Sequence, residues 1–144
     1  MKVQRLGHVV LKVRNRERAE AFYNGLLGIP IAARMTAPPM TFFSLGNHHD
    51  FAIMAVGDDA PGAPENAPGL FHVAFKIGNT LDELREAKTR LEGAGVNATA
   101  FDHVVTQSLY FPDPDGNTVE LYVDTSDVWK TNPQTVASIE PLQL

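Results

Sequence analysis

Two copies of one eight-residue pattern lie in the two halves of this chain. Residues 6–13 read LGHVVLKV and residues 70–77 read LFHVAFKI, so Leu, His, Val and Lys recur at matching positions. Self-similarity at a fixed offset is the signature of a repeated supersecondary unit. We therefore expect the two copies and their histidines, His8 and His72, to have equivalent positions in the fold.

A helical pattern follows each copy. After the first copy, Asn15 is a suitable N-cap, Gly28 is a suitable stop, and between them apolar residues recur at helical spacing: Ala19, Phe22, Tyr23 and Leu26. After the second copy, Thr80 and Glu83 match a capping box and precede another apolar helix face. The sequence thus predicts one helix after each repeated segment.

Strand-like segments follow each helix, at residues 29–33, 41–45 and 51–56 and again at residues 96–100, 108–111 and 118–123. Residues 113–117 (DPDGN) join the last two and are a strong hairpin signal. Each half therefore reads βαβββ. We expect an α+β fold in which the two modules form a curved mixed sheet, with helices outside and a cup inside.

The expected organisation is a single domain over residues 1–144. Module one spans about residues 4–57 and module two about residues 70–124. A linker rich in Pro, Gly and Ala lies between them at about residues 58–69, and a C-terminal tail of uncertain structure covers residues 125–144.

Three side chains of the metal-binding type are expected on the strand faces that do not pack under the helices. His8 and His72 alternate with the apolar faces of their strands, and Glu120 alternates with Val119 and Leu121. In a curled sheet all three point into the cup, where two imidazoles and one carboxylate can bind a divalent metal and leave coordination positions open. The alternative for each residue alone is a structural role, because a lone strand histidine is more often hydrogen-bonded than a ligand.

Composition excludes several other classes of protein. The chain has no cysteine, which rules out disulfides, thiolate metal sites and a cysteine nucleophile. Its formal net charge is -5 and it has no basic run, so we expect neither nucleic acid nor a membrane as a partner. The N-terminus lacks the apolar stretch of a signal peptide, and no apolar run approaches transmembrane length. We therefore expect a cytoplasmic protein.

The chain resembles the vicinal-oxygen-chelate (glyoxalase, bleomycin resistance and dioxygenase) superfamily over about residues 4–124. Within the superfamily it resembles a single-domain type I extradiol (catechol 2,3-) dioxygenase. Four segments are similar to the metal-binding domain of those enzymes: residues 46–53 (GNHHDFAI), residues 68–75 (PGLFHVAF), Asp102-His103 and residues 110–120 (YFPDPDGNTVE). Extradiol enzymes typically carry an additional N-terminal domain of the same fold, which these residues do not include.

This resemblance implies roles for six residues. His8, His72 and Glu120 would be the metal ligands. The catalytic residues would be an acid–base histidine and two groups beside the substrate, namely His49, His103 and Tyr110. The adjacent His48 is interpreted as a surface turn residue.

The implied activity is metal-dependent extradiol ring cleavage. The metal would be Fe(II), with Mn(II) or another divalent metal as the alternative, and the reactants would be a small aromatic molecule of the catechol type and O2. A homodimer is implied because superfamily members usually dimerise. Three alternatives stay open: a glyoxalase- or epimerase-like lyase or isomerase, a small-molecule-binding protein of the resistance type, and a non-catalytic module. Residues 51–56 contain no acid or amide that could act as a fourth, glyoxalase-type ligand, which favours the dioxygenase.

Overall fold

The computed structural model describes residues 1–64 and 66–144. They divide into two compact units, Met1–Ala67 and Pro68–Leu144. Each unit contains one mixed sheet, of four strands in the first and five in the second, with a helix between its first two strands. The predicted α+β fold class, with two βαβββ modules, is therefore confirmed.

The first unit follows the predicted order of elements. They are β1 (Val9–Val13), α1 (Arg16–Glu20), a π-helical segment (Ala21–Leu26), β2 (Ile31–Met35), β3 (Met40–Phe43) and β4 (Phe51–Ala55). The strands are ordered β1-β4-β3-β2 in the sheet. β1 pairs with β4 in parallel, and the other two pairs are antiparallel.

The second unit repeats this order and adds one short strand. Its elements are β5 (His72–Gly78), α2 (Leu81–Gly93), β6 (Thr99–Asp102), β7 (Thr106–Pro112), β8 (Thr118–Asp124) and β9 (Glu140–Pro141). The sheet order is β5-β8-β7-β6-β9, and β5 and β8 are the parallel pair. The tail forms 3-10 turns at Val128–Lys130 and Pro133–Ala137 before β9 pairs with β6.

Both helices begin where the capping residues predict. The Asn15 side chain accepts a hydrogen bond from the Arg18 amide at 3.0 Å. Thr80 and Glu83 form the reciprocal capping box, in which each side chain accepts from the other residue's backbone amide. Within the described residues no helix has the length and apolar character needed to cross a bilayer.

The first helix changes its winding after Glu20, which the sequence did not predict. In the following π-helical segment the Leu27 amide donates to the Phe22 carbonyl, five residues back, at 3.0 Å. Of the expected apolar residues, Ala19, Phe22 and Tyr23 are buried and Leu26 is half-buried. The Tyr23 ring lies 4.7 Å from that of Phe51. Gly28 then ends the segment with a left-handed φ of 77°, a conformation that glycine adopts without steric cost.

β1 alternates as predicted but is shorter than the repeat suggests. Leu11 and Val13 are buried while Val10 and Lys12 are exposed, which is the expected two-residue period. The pattern predicts a strand from residue 6, whereas ladder pairing begins at Val9 opposite Phe51. The residues before Phe51 form a turn and offer no extended partner, so His8 lies just outside the strand.

The predicted hairpin between β7 and β8 is confirmed, and one aspartate organises it. The Asp113 carboxylate accepts hydrogen bonds from the amides of Asp115 and Asn117 at 2.9 and 2.8 Å. Gly116 has a φ of 88°, as such a turn requires. This turn sets the register that pairs Tyr110 with Glu120.

A charged group near the end of α1 ties the helix to the sheet. The Glu20 carboxylate receives two hydrogen bonds from Arg34, each of 2.9 Å, and a third from the buried Thr41 hydroxyl. The Arg34 hydrogen bond is the main reason that the pKa of Glu20 lies below its usual value. Partial burial acts in the opposite direction, and Thr41 lowers the pKa further.

We expect Glu20→Gln to lower the free energy of unfolding by about 1 kcal/mol at neutral pH, because the amide loses the charged hydrogen bonds. A carboxyl pKa that is lowered by folding stabilises the protein above the unfolded-state pKa, about 4.3, and this contribution is lost as pH falls through the folded-state pKa. Urea denaturation from neutral to acid pH should therefore show the two proteins converging. Glu17→Gln, at an exposed site on the same helix, is the control and should have little effect. A difference that stays constant with pH would contradict this assignment.

Candidate metal centre

In the second unit, two of the predicted ligands lie together on parallel neighbouring strands. His72 is the first residue of β5, and Glu120 is the third residue of β8. The Nε2 atom of His72 lies 3.1 Å from the Oε2 atom of Glu120. Glu120 is 7% exposed, although glutamate side chains are more often solvated. The strand pairing therefore puts an imidazole and a buried carboxylate side by side.

A serine that the sequence analysis missed holds the other oxygen of this carboxylate. The Ser108 hydroxyl donates to Oε1 of Glu120 at 2.6 Å, and Ser108 is fully buried. A buried carboxylate requires such a donor, and the bond leaves Oε2 facing His72. Ser108 lies two residues before Tyr110 on β7, so the alternation rule assigns it to the same face, which is the signal that could have identified it.

Two predicted catalytic residues form a hydrogen-bonded chain beside this pair. His103 Nε2 lies 3.1 Å from the Tyr110 hydroxyl, and His103 Nδ1 lies 2.8 Å from the Ser138 carbonyl. A carbonyl can only accept, so Nδ1 carries a proton and, in the neutral ring, Nε2 accepts from Tyr110. Residue 138 belongs to the tail, whose role was uncertain from sequence. The tail thus fixes the orientation of His103.

Tyr110 is held as a neutral phenol next to the ligand pair. Burial raises the pKa of Tyr110 above its ordinary value, and the neighbouring Glu120 carboxylate raises it further. The rings of Tyr110 and His72 meet edge to face, with centroids 5.5 Å apart. Tyr110 therefore combines a retained proton with direct contact to a candidate ligand.

The first unit brings together His8 and His49. Because β1 and β4 are parallel and Val9 pairs with Phe51, the residues just before these two strands are close, and the two imidazole centroids lie 4.1 Å apart. His48 joins them, as an exposed turn residue. The pKa of His49 is lowered by partial desolvation and then by the neighbouring imidazoles His8 and His48. This favours a neutral His49.

The donor atoms of His72 and Glu120 suit a shared divalent ion. Two ligands about 2.1 Å from one metal and at a right angle to each other lie about 3 Å apart, close to the observed 3.1 Å. Among the described residues, His72 Nδ1 is the one buried side-chain polar atom that has no hydrogen-bond partner. An unsatisfied buried atom destabilises a fold. One imidazole and one carboxylate are a donor set that fits a divalent ion between Nε2 and Oε2, and the same 3.1 Å also suits a direct N–H···O hydrogen bond. An ion at Nε2 would leave Nδ1 unpaired, because that atom lies on the other edge of the ring.

Comparison with known proteins settles the family. Residues 5–121 match the Glyoxalase/Bleomycin resistance protein/Dioxygenase superfamily. The chain belongs to this superfamily. The resemblance identified in the sequence is confirmed at this level.

Two similar proteins are dioxygenases by name. Biphenyl-2,3-diol 1,2-dioxygenase 3 of Rhodococcus globerulus is 35% identical over 125 residues, which cover 83% of this chain and 63% of that protein. Catechol-2,3-dioxygenase of Bacillus subtilis (strain 168) is 29% identical over 120 residues, which cover 83% of this chain and 41% of that protein. The chain therefore spans less than two thirds of the length of either relative.

Other members of the superfamily have different activities. Similar proteins include glutathione transferase FosA of Serratia marcescens, at 29% identity, and a methylmalonyl-CoA epimerase of Bos taurus, at 31%. Among solved structures, a glyoxylase/bleomycin resistance protein/dioxygenase domain from Frankia sp. EAN1pec has a TM-score of 0.73 at 20% identity, covering 85% of this chain and 99% of that one. The structural likeness shows the shared fold alone.

A double-mutant cycle tests the anchoring of Glu120. Ser108→Ala removes the donor to a buried carboxylate oxygen, and we expect the free energy of unfolding to fall by about 1–3 kcal/mol. In a Glu120→Gln background, Ser108→Ala should lower the free energy of unfolding by less, because a hydrogen bond to an uncharged amide is weaker than one to a carboxylate. Chemical denaturation of the four proteins measures both costs. Equal costs in the two backgrounds would show that Ser108 acts independently of Glu120.

Proposed function

We propose that this chain is a metal-dependent extradiol dioxygenase, which cleaves a catechol-type ring beside its two hydroxyl groups with O2. The observation that carries this proposal is that the His72–Glu120 pair and the Tyr110–His103 pair occupy one face of the second sheet. Tyr110 contacts the His72 ring and is paired with Glu120 across β7 and β8. The two candidate metal ligands, His72 and Glu120, therefore lie beside two groups that can hold a proton, Tyr110 and His103.

The proposed ligand set is His8, His72 and Glu120, with Fe(II) as the metal and Mn(II) as the alternative. The distance between His72 and Glu120 supports their share of the set. His8 is assigned by its position in the repeat, where it is equivalent to His72. Bound Fe(II) would lower the pKa of the substrate hydroxyls and supply electrons to O2.

The remaining residues are assigned to proton handling. Tyr110 keeps its proton, which it donates to His103 Nε2 across 3.1 Å. When a reactant binds, the hydroxyl would turn from His103 and donate to an oxygen atom of that reactant. The Ser138 carbonyl keeps the His103 ring oriented as the acceptor of the tyrosine proton. His49, next to His8, is proposed to accept a proton from the substrate and to return it later as an acid.

A lyase or isomerase of the same fold is the second candidate. The relatives named methylmalonyl-CoA epimerase favour it. Against it, β4 reads Phe-Ala-Ile-Met-Ala and supplies no acidic fourth ligand of the glyoxalase type. The proposed dioxygenase is also expected to be cytoplasmic and to form a homodimer.

The activity can be tested by loading the protein anaerobically with Fe(II) and adding a panel of catechols with air. We expect oxygen uptake together with a new yellow absorbance from a ring-opened product. Iron binding without uptake on any catechol would overturn the dioxygenase proposal and favour the isomerase. Absence of iron binding would overturn the metal site itself.

Tyr110→Phe tests the role of the phenol. We expect kcat to fall by about 10- to 100-fold while the bound iron per chain stays unchanged, because the variant lacks a proton donor but keeps every proposed ligand. Tyr122→Phe is a matched control, since Tyr122 lies on β8 two residues from Glu120 and no role is proposed for its hydroxyl. Full turnover by Tyr110→Phe would remove Tyr110 from the chemistry.

A further inference from the structure

The first unit contains a cluster of three histidines that the proposed chemistry does not fully use. One potential ligand atom from each of His8, His48 and His49 lies within 4.8 Å of the other two. The ring of His49 is central, with centroids 4.1 Å from His8 and 4.6 Å from His48. All three residues belong to the unit Met1–Ala67, so the cluster exists independently of His72 and Glu120.

The backbone around this cluster is fixed by hydrogen bonds on both sides. The Val9 amide donates to the Asp50 carbonyl at 3.2 Å, which holds the residue after His8 against the residue after His49. The Asp50 carboxylate accepts from the amides of Leu45 and Asn47 at 2.7 and 3.3 Å. Asp50 therefore holds the backbone of the turn that carries His48 and His49. Because this backbone is already ordered, metal binding loses little conformational entropy there.

The neighbour of His48 leaves a ligand atom available, and a neighbour of His49 restricts the orientation of its ring. His48 Nδ1 lies 3.1 Å from the Asn47 side-chain oxygen, which can only accept, so the proton is on Nδ1 and the lone pair is on Nε2. Orientation of a metal-binding histidine through its other nitrogen is a usual feature of metal sites. The Phe42 ring packs edge-on against His49, with centroids 5.3 Å apart, and limits where that imidazole can turn.

We propose that His8, His48 and His49 form a transition-metal site within the first unit, for a borderline divalent ion such as Zn(II). Three imidazoles with one open position are a donor set that such ions prefer, whereas Mg(II) and Ca(II) prefer oxygen ligands. Because His8 also belongs to the ligand set of the proposed function, one chain fills only one of the two sites at a time. This last consequence rests on the proposed function, but the three-histidine site does not.

Calorimetric titration of the metal-free full-length chain with Zn(II) tests the site in a Glu120→Ala background, which disables the proposed iron site. We expect one Zn(II) per chain. Adding His48→Ala should weaken binding by at least about 100-fold, since a ligand is lost rather than a group that orients one. Adding His103→Asn, which changes a histidine of the second unit, should leave the affinity unchanged.

Unchanged affinity in the His48→Ala variant, or loss of all Zn(II) binding in Glu120→Ala alone, would overturn the three-histidine site. The two proposals fail separately when Fe(II) binding is also measured by anaerobic dialysis. The single variant His48→Ala should still bind Fe(II), because His48 is not among the proposed iron ligands. Loss of Fe(II) from His48→Ala would contradict the separation of the two ligand sets.

Discussion

The parallel pairing of the first and last strands in each unit is the constraint on which the rest of the structure depends. Parallel neighbours cannot be joined by a tight turn, so the helix and two further strands must lie between β1 and β4 and between β5 and β8. The pairing brings distant parts of the sequence into contact at the start of the strands. It places His8 next to His49 in the first unit and His72 next to Glu120 in the second.

The chemistry of the second unit follows from burying a carboxylate next to an imidazole. Glu120 is stable in that position because Ser108 donates to one oxygen, while the other faces His72. The same environment raises the pKa of Tyr110 and keeps its proton in place. The buried Glu120 carboxylate is therefore a candidate ligand, and burial of Tyr110, followed by the nearby carboxylate, keeps the candidate donor protonated.

Features governed by local or periodic rules could be predicted from the sequence. The helix caps at Asn15 and Thr80, the strand alternation and the turn at Asp113 all depend on residues close together in the chain. The repeat is found by comparing the two halves of the sequence directly. The shift to π-helical winding after Glu20 could not be predicted from the sequence, because the same apolar face suits an α-helix and a π-helix. The start of β1 at Val9 depends on where its partner β4 becomes extended.

Interactions that join distant residues were the hardest to predict. Ser108 looked like an ordinary strand residue until the register placed its hydroxyl on Glu120. The contact of His103 with Ser138 uses a backbone carbonyl 35 residues away, which leaves no trace in the side-chain sequence. His48 was interpreted as a surface turn residue, and its exposure agrees, yet the turn also brings it to His8 and His49.

Two imidazoles and one carboxylate are the proposed ligands of the metal. X-ray absorption spectroscopy at the iron edge of the Fe(II)-loaded protein tests this ligand set directly, because imidazole ligands can be counted by their scattering. We expect two imidazoles with oxygen ligands in the remaining positions, and the loss of one imidazole in His72→Ala. A count of three imidazoles that stays the same in His72→Ala would place the iron in another site and contradict the proposed ligand set.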